Sequence, residues 1–469
     1  MFDNTRTFRY YFIFFTQKQS KNVDNMLLND NNVRINNSFV FRAVIKTPES
    51  RRDIGQQTKK EIIRTMKKVL ALVLALCMVL GLAACGGSSS GSTTTTTEKT
   101  VYKVGMVCIG DANQAYDRNF MMAADEATAR LAAKGIDIEW IYKYNNPTEV
   151  ADDTADLADE GCIAVFCNSY GQEPQMLITA QDYPDTVFAG LTNQGSQADE
   201  LPNTINAFPN IFEARYLAGV AAGCKLQEMI DNGTIKADEA VMGYVGAFTY
   251  SEVISGYTAF FLGAQSICPT ATMLVEFIGS WGDTALEAAA AQDLIDKGAV
   301  LISQHSDNTS PATTAQANGK YHVGYNIAMS DVAPEASIIS SRIDWTNFFE
   351  STIETIVNGG EVPQDYLNHG LADGDVTLTE LNTAIAAPGT QEAIDKAAAA
   401  IKSGELQVFD TSKFTVGGET ITSALADTDG DFAGDTEAVF DGYFHESYLL
   451  SAPQFGVRID GITLVNEKY

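Results

Sequence analysis

Four aromatic side chains, Tyr116, Phe208, Phe248 and Trp281, each stand just past a short apolar run. Four polar ones, Asn119, Asn168, Asp307 and Asn326, stand at strand ends or helix starts. Aromatic rings stack on flat π systems, at roughly 1 to 3 kcal/mol per stacked base. An amide matches an edge that both donates and accepts, and a carboxylate accepts from exocyclic amines or paired sugar hydroxyls. Together these residue types suit non-covalent capture of a small polar solute, with Trp281, after Phe277-Ile278-Gly279-Ser280, the first choice of plate. Each also has a structural alternative: an aromatic fills core, and Asn168 or Asp307 fits an N-cap, worth about 1 kcal/mol.

His305, one of four histidines, falls two residues before Asp307. A metal would need a third ligand at recognisable spacing and the sequence offers none, so a neutral imidazole bonded to ligand or backbone is the reading. Asp427-Thr428-Asp429-Gly430-Asp431 looks like a calcium loop, but its Gly comes too early for an EF-hand and the closing Glu is missing. It reads as an acidic surface turn, and neither metal nor cofactor is expected. Gly87-Ser88-Ser89-Ser90-Gly91 spells a hydrolase nucleophile pattern inside a low-complexity stretch, with no strand before it or helix after it. No phosphate loop, paired-cysteine motif or acid–base carboxylate pair appears elsewhere, so the chain does not read as an enzyme.

The elements that must position these residues alternate. Strand-like runs at 102–109, 136–142, 164–167, 187–191 and 204–208 are interleaved with helical stretches at 119–134, 148–159, 174–182 and 211–231. After the polar break 232–238 the rhythm restarts, with strands at 241–245, 272–277, 300–304, 322–325 and 337–342 and helices at 252–266, 284–297, 311–318 and 346–358. This pattern predicts parallel sheets covered on both faces, and its repetition predicts two α/β lobes joined by a hinge around a cleft. Lobe 1 is expected over 101–235 with part of 343–469, and lobe 2 over 236–342. The segment 359–469 is expected to lash the lobes together or decorate the hinge, with a helix at 390–402 and β-like runs at 414–422 and 457–465. In such sheets ligands sit beyond the carboxyl ends of strands, where the residues above fall.

Upstream, Met66-Lys67-Lys68, an apolar run to Leu82 and Leu82-Ala83-Ala84-Cys85 spell a bacterial lipoprotein leader, too short for the roughly 20 residues of a membrane span. Cys85 becomes the acylated residue and 86–100, rich in Gly, Ser and Thr, a flexible tether to the membrane. Residues 1–65, unlike the rest in composition, read as an upstream extension from a start called too early. The chain carries 60 acidic and 31 basic side chains, a net charge of −29, which argues against nucleic acid as a partner. Beyond the leader Cys108, Cys162, Cys167, Cys224 and Cys268 are odd in number without a CxxC pair, and read as buried thiols.

Several segments resemble the basic membrane protein family of ABC-transporter substrate-binding lipoproteins, the purine nucleoside receptor A-like group. They include Lys103-Val104-Gly105, Glu213-Ala214-Arg215-Tyr216-Leu217-Ala218-Gly219, Gly243-Tyr244-Val245-Gly246, Ser280-Trp281-Gly282-Asp283, Gln304-His305-Ser306-Asp307, Gly324-Tyr325-Asn326 and Ser451-Ala452-Pro453. The resemblance implies a type I periplasmic-binding fold, capture of a purine nucleoside or nucleobase, and delivery to an ABC permease and its ATPase by a monomer on the extracytoplasmic face. It adds Asp117, in Asp117-Arg118-Asn119-Phe120, and Tyr325 to the ligand-binding set. The sequence departs from the family where Met121 replaces an expected Asn and Asn326 an expected Asp, which leaves the ligand open. Two other roles fit the same residues: a sensor signalling occupancy to a membrane partner, and a surface enzyme that processes nucleosides.

Overall fold

The computed structural model describes residues 100–192, 201–430 and 433–467. The leader, Cys85 and the extension 1–65 lie outside the described residues. No described helix is long and apolar enough to cross a membrane.

Five strands, β1 (Val101–Val107), β2 (Asp137–Lys143), β3 (Cys162–Cys167), β4 (Val187–Leu191) and β5 (Thr204–Ala207), form an all-parallel sheet in the order β2-β1-β3-β4-β5. Its strands are apolar on both faces because both are covered. Val104, Met106 and Phe166 meet one layer of side chains, and Val107, Val165 and Cys167 meet another. Helices α1 (Ala115–Ala133), α2 (Ala151–Asp159) and α3 (Glu173–Asp182) follow β1, β2 and β3.

Helix α4 (Ile211–Asp231) follows β5 in the chain but packs on the second half, a place its sequence position did not predict. There it meets α5 (Ser251–Gln265) through reciprocal glycines. A Cβ on Gly219 would stand 2.0 Å from the Phe260 carbonyl oxygen, and one on Gly263 would stand 2.0 Å from that of Tyr216. Only glycine permits so close an approach of two backbones.

The second sheet runs β11-β10-β9-β8-β6-β7-β16. It comprises β6 (Val241–Gly246), β7 (Thr272–Phe277), β8 (Leu301–His305), β9 (Tyr321–Tyr325), β10 (Ser337–Ile343), β11 (Val376–Leu378) and β16 (Ile462–Leu464). Helices α6 (Thr284–Asp296) and α7 (Ser310–Ala317) follow β7 and β8. The chain then returns: α8 (Thr346–Val357) packs on α1, with Trp345 stacked on Phe120 at 5.0 Å and Phe349 edge-on to Phe166 at 4.9 Å.

The C-terminal segment supplies both edges of the second sheet, β11 antiparallel to β10 and β16 parallel to β7. Helix α9 (Thr390–Lys402) packs on α4, and two short pairs, β12 (Leu425–Ala426) with β13 (Thr436–Glu437) and β14 (Val439–Phe440) with β15 (Tyr443–Phe444), complete it. The β-like run at 414–422 forms no strand, only a bridge between Val416 and Glu419. This segment also reaches the first sheet, where the Asn206 N–H donates to Gln364 and the Tyr366 N–H donates to Asn206. On the other side Glu446 accepts bonds from Ser255 Oγ at 2.6 Å and from the Phe455 N–H at 2.7 Å. All five cysteines beyond the leader are free thiols.

Candidate functional site

The carboxyl ends of strands from both sheets converge on one cavity, closed down to about 10 Å³ of free space, room for about one water molecule. The first half contributes Tyr116 from the start of α1, Ser169 and Tyr170 after β3, and Thr192 after β4. The second contributes Glu252 from the first turn of α5, Trp281 after β7, His305 and Asp307 at and after β8, and Tyr325 at the end of β9. Thr192 has φ of 67°, a left-handed conformation that a β-branched residue adopts only under constraint. The halves touch over the cavity. Tyr170 and Tyr250 lie 5.4 Å apart, and a Cβ on Gly282 would stand 2.1 Å from Nε2 of Gln114.

The Asp307 loop is fixed from several sides. The Asp307 N–H donates to the Trp281 carbonyl at 2.9 Å, and Gln304 Nε2 donates to the carbonyls of Ser306 and Asn308 at 2.8 and 2.7 Å. From α6, buried Glu287 accepts from Asn308 Nδ2 at 2.9 Å, and burial raises its carboxyl to about 7. The Asp307 carboxylate itself accepts no hydrogen bond from any described residue, and it does not cap α7, whose N-cap is Thr309. Burial first, then coupling to the neighbouring carboxyls of Asp117, Glu287 and Glu252, holds its carboxyl well above the usual range.

His305 and Glu252 meet at 3.1 Å. Burial lowers the imidazole well below its ordinary value and raises Glu252 to about 8, while Arg215 pulls Glu252 back only in part. The contact is therefore a hydrogen bond between neutral groups rather than an ion pair. Gly256 makes room for the ring, since a Cβ there would lie 2.8 Å from Nδ1. Behind the wall, Arg215 of α4 covers the Tyr325 ring at 3.6 Å and donates to the Gln304 carbonyl at 2.9 Å. No lysine or arginine is among the residues lining the cavity.

Of the residues expected from sequence, Tyr116, Trp281, His305, Asp307 and Tyr325 line the cavity. The other six stand outside its wall. Asp117 is buried and accepts from Asn168 Nδ2 at 2.8 Å, with burial raising its carboxyl to about 6. Asn168 also accepts from the Ile109 N–H at 2.9 Å, so it ties two strand ends together instead of capping a helix. Asn119 donates to the Ile343 carbonyl at 2.9 Å and accepts from Arg342 Nε at 2.8 Å, a brace where the chain crosses between halves. Phe208 is buried in the main core. Phe248 backs the wall, stacked on Tyr250 at 5.2 Å and edge-on to Trp281 at 5.3 Å. Asn326, with φ of 66°, makes the turn after β9 and donates its N–H to Ser341.

Ser169, Tyr170, Thr192 and Glu252 were not anticipated. For Ser169, Tyr170 and Thr192 the signal was available, since each falls in the loop just after a strand end, as Trp281 does, whereas Glu252 lies inside a helix. Among the described residues, carboxylate oxygens of Asp427, Asp429 and Asp435 come within 4.8 Å of one another. The turn uses them on itself: Asp427 accepts from the Gly430 N–H at 2.8 Å and Asp435 from Thr428 Oγ1 at 2.7 Å.

A family model described as ABC transporter substrate-binding protein PnrA-like matches residues 103–411. A Haloferax volcanii protein bearing the name of an ABC transporter glucose-binding protein is 33% identical over 253 residues, 53% of this chain, which spans 60% of that relative's length. A purine-binding protein of Brucella abortus is 28% identical over 311 residues, 66% of this chain and 83% of that one. Among solved structures, an ABC transporter solute-binding protein of Aeropyrum pernix superposes with a TM-score of 0.53 at 14% identity, over 68% of this chain and 94% of that one. A transcriptional activator of the comK gene from Bacillus halodurans gives 0.51 at 15%, over 65% and 99%. These two likenesses establish the fold, two parallel-sheet lobes of the type I periplasmic-binding class. With the match spanning most of the described residues, the chain belongs to the PnrA-like family of ABC transporter substrate-binding proteins, a family of binders rather than enzymes.

Proposed function

We propose that the cavity captures a purine nucleoside or nucleobase and that the chain, tethered through acylated Cys85 on the extracytoplasmic face, presents it to an ABC permease. The observation that carries this reading is the make-up of the wall. Tyr116, Tyr170, Trp281 and Tyr325 surround the carboxyl groups of Glu252 and Asp307, with no cation lining the cavity. Aromatic faces suit a flat base, and acceptor groups suit its amines or the hydroxyls of a ribose. Both halves contribute, so a ligand held between them favours the closed form through contacts that an open form lacks. The Brucella relative's name supports a purine; the Haloferax relative's name points to a hexose, whose hydroxyls would also satisfy the carboxyl groups.

Calorimetry of the full chain with adenosine, inosine, guanosine, adenine and glucose separates the two. The purine reading predicts saturable binding of at least one purine and none of glucose. Binding of glucose alone would overturn it.

A further inference from the structure

Asp307 stands apart from every other acid near the cavity. Asp117 accepts from Asn168, Glu287 from Asn308 and Glu252 meets His305, whereas the Asp307 carboxylate faces the cavity with no described donor on it. Its backbone is nonetheless fixed by the Trp281 carbonyl and by the bonds of Gln304 and Glu287 to its loop. A rigidly placed carboxyl that faces the cavity with no protein donor on it keeps its bonding capacity for a ligand. Asp307 and Trp281 are neighbours, joined by the 2.9 Å backbone bond, and both line the cavity, which puts this carboxyl within the same site as the aromatic ring.

We infer that Asp307 is the specificity residue of the cavity and that its protonation state chooses between amino- and oxo-purines. This rests on the purine reading above. Ionised, the carboxylate only accepts, and it matches an edge with two neighbouring donors, as in guanine, where a ring N–H stands beside an exocyclic amine. Protonated, the same group donates its O–H and accepts through the other oxygen. It then matches adenine, whose ring nitrogen accepts beside an amine that donates.

The surroundings decide where the change falls. Facing Asp307 are Tyr116 and Asp117 from α1, Glu252 from α5, Glu287 from α6, His305 from β8 and Tyr325 from β9. Arg215 is screened behind the Tyr325 ring. Three neighbouring acids and a neutral imidazole leave no facing cation to hold the carboxylate ionised, so its proton persists well above the usual range. Adenine-type binding is therefore strongest at low pH and is lost as pH rises through this value; guanine-type binding changes in the opposite sense.

The test is calorimetry of the full chain with adenosine and with guanosine between about pH 5 and about pH 8, in wild type and in Asp307→Asn. The expected wild-type result is a fall of at least about tenfold in the adenosine-to-guanosine affinity ratio across this range. Asp307→Asn, whose amide offers one donor and one acceptor at every pH, is expected to give a flat adenosine-to-guanosine ratio. Two purines bound with a pH-independent ratio in wild type would overturn the assignment while leaving the purine reading intact, as would a slope that survives in Asp307→Asn. Absence of purine binding at any pH would overturn both. Thermal melts confirm that the variant is folded.

Discussion

The two walls of the cavity are built differently. The second half brings Glu252, Trp281, His305, Asp307 and Tyr325, set at strand ends and braced by Gln304, Glu287 and Arg215. The first half brings Tyr116, Ser169, Tyr170 and Thr192, hydroxyl-bearing side chains with no acid among them. Its own buried acid, Asp117, is held by Asn168 outside the wall. The difference teaches a division of labour. On the proposed function, the second half would read ligand chemistry and the first would close over it.

The comparison sharpens most at the aromatic residues. Trp281→Ala is expected to weaken purine binding by about 1 to 3 kcal/mol, roughly five- to 150-fold, and Tyr170→Ala only a few-fold, both by calorimetry. Equal losses would break the division. Next comes the brace: Glu287→Gln removes a charged acceptor from the Asn308 N–H and Nδ2, and is expected to cost about tenfold in affinity with the fold intact by circular dichroism. Unchanged affinity would show that the Asp307 loop holds itself.

Glu252 is raised to about 8 and Glu287 to about 7 in the second half, against about 6 for Asp117 in the first. Each keeps its proton longer folded than unfolded, so the native state is favoured below the ordinary carboxyl range and loses that advantage as pH rises through these values. Buried His305 and His322 act in the opposite sense, stabilising the fold above the ordinary imidazole value and costing stability as pH falls below it. Thermal melts should therefore fall from about pH 6.5 to about pH 8.5, and Glu252→Gln should flatten this decline more than Asp117→Asn. The smallest effect belongs to the surface of the first half. Lys134 pairs with Glu350 and Glu354 across α1 and α8, and Lys134→Met should change stability by no more than about 1 kcal/mol in denaturant titration.

Much of the framework was legible. The strands at 187–191 and 272–277 and the helices at 211–231 and 390–402 end where the sequence places them, because apolar runs and polar breaks there have a single reading. Which half a helix joins was not legible. Helix α4 follows β5 but its Gly219 and its apolar stripe fit α5, and that match involves residues some forty positions apart. The same limit governs the cavity. Proximity to a strand end identified Trp281, His305 and Asp307, yet also pointed to Phe208, whose side chain turns into the core. Strand ends mark a rim, and the direction of each side chain on that rim depends on packing that no local pattern records. Asp307 and Asn168 had the same two readings, cap or contact; long-range bonds separate them, since Asn168 spends its amide on Ile109 and Asp117 while Asp307 has no such partner.

A crystal structure of the full chain grown with saturating adenosine addresses the central claim most directly. The account predicts the base stacked on the Trp281 ring, its amine edge on the Asp307 carboxyl and Tyr170 closed over it from the other half. A nucleoside bound elsewhere, or one in the cavity whose base touches neither Trp281 nor Asp307, would contradict it.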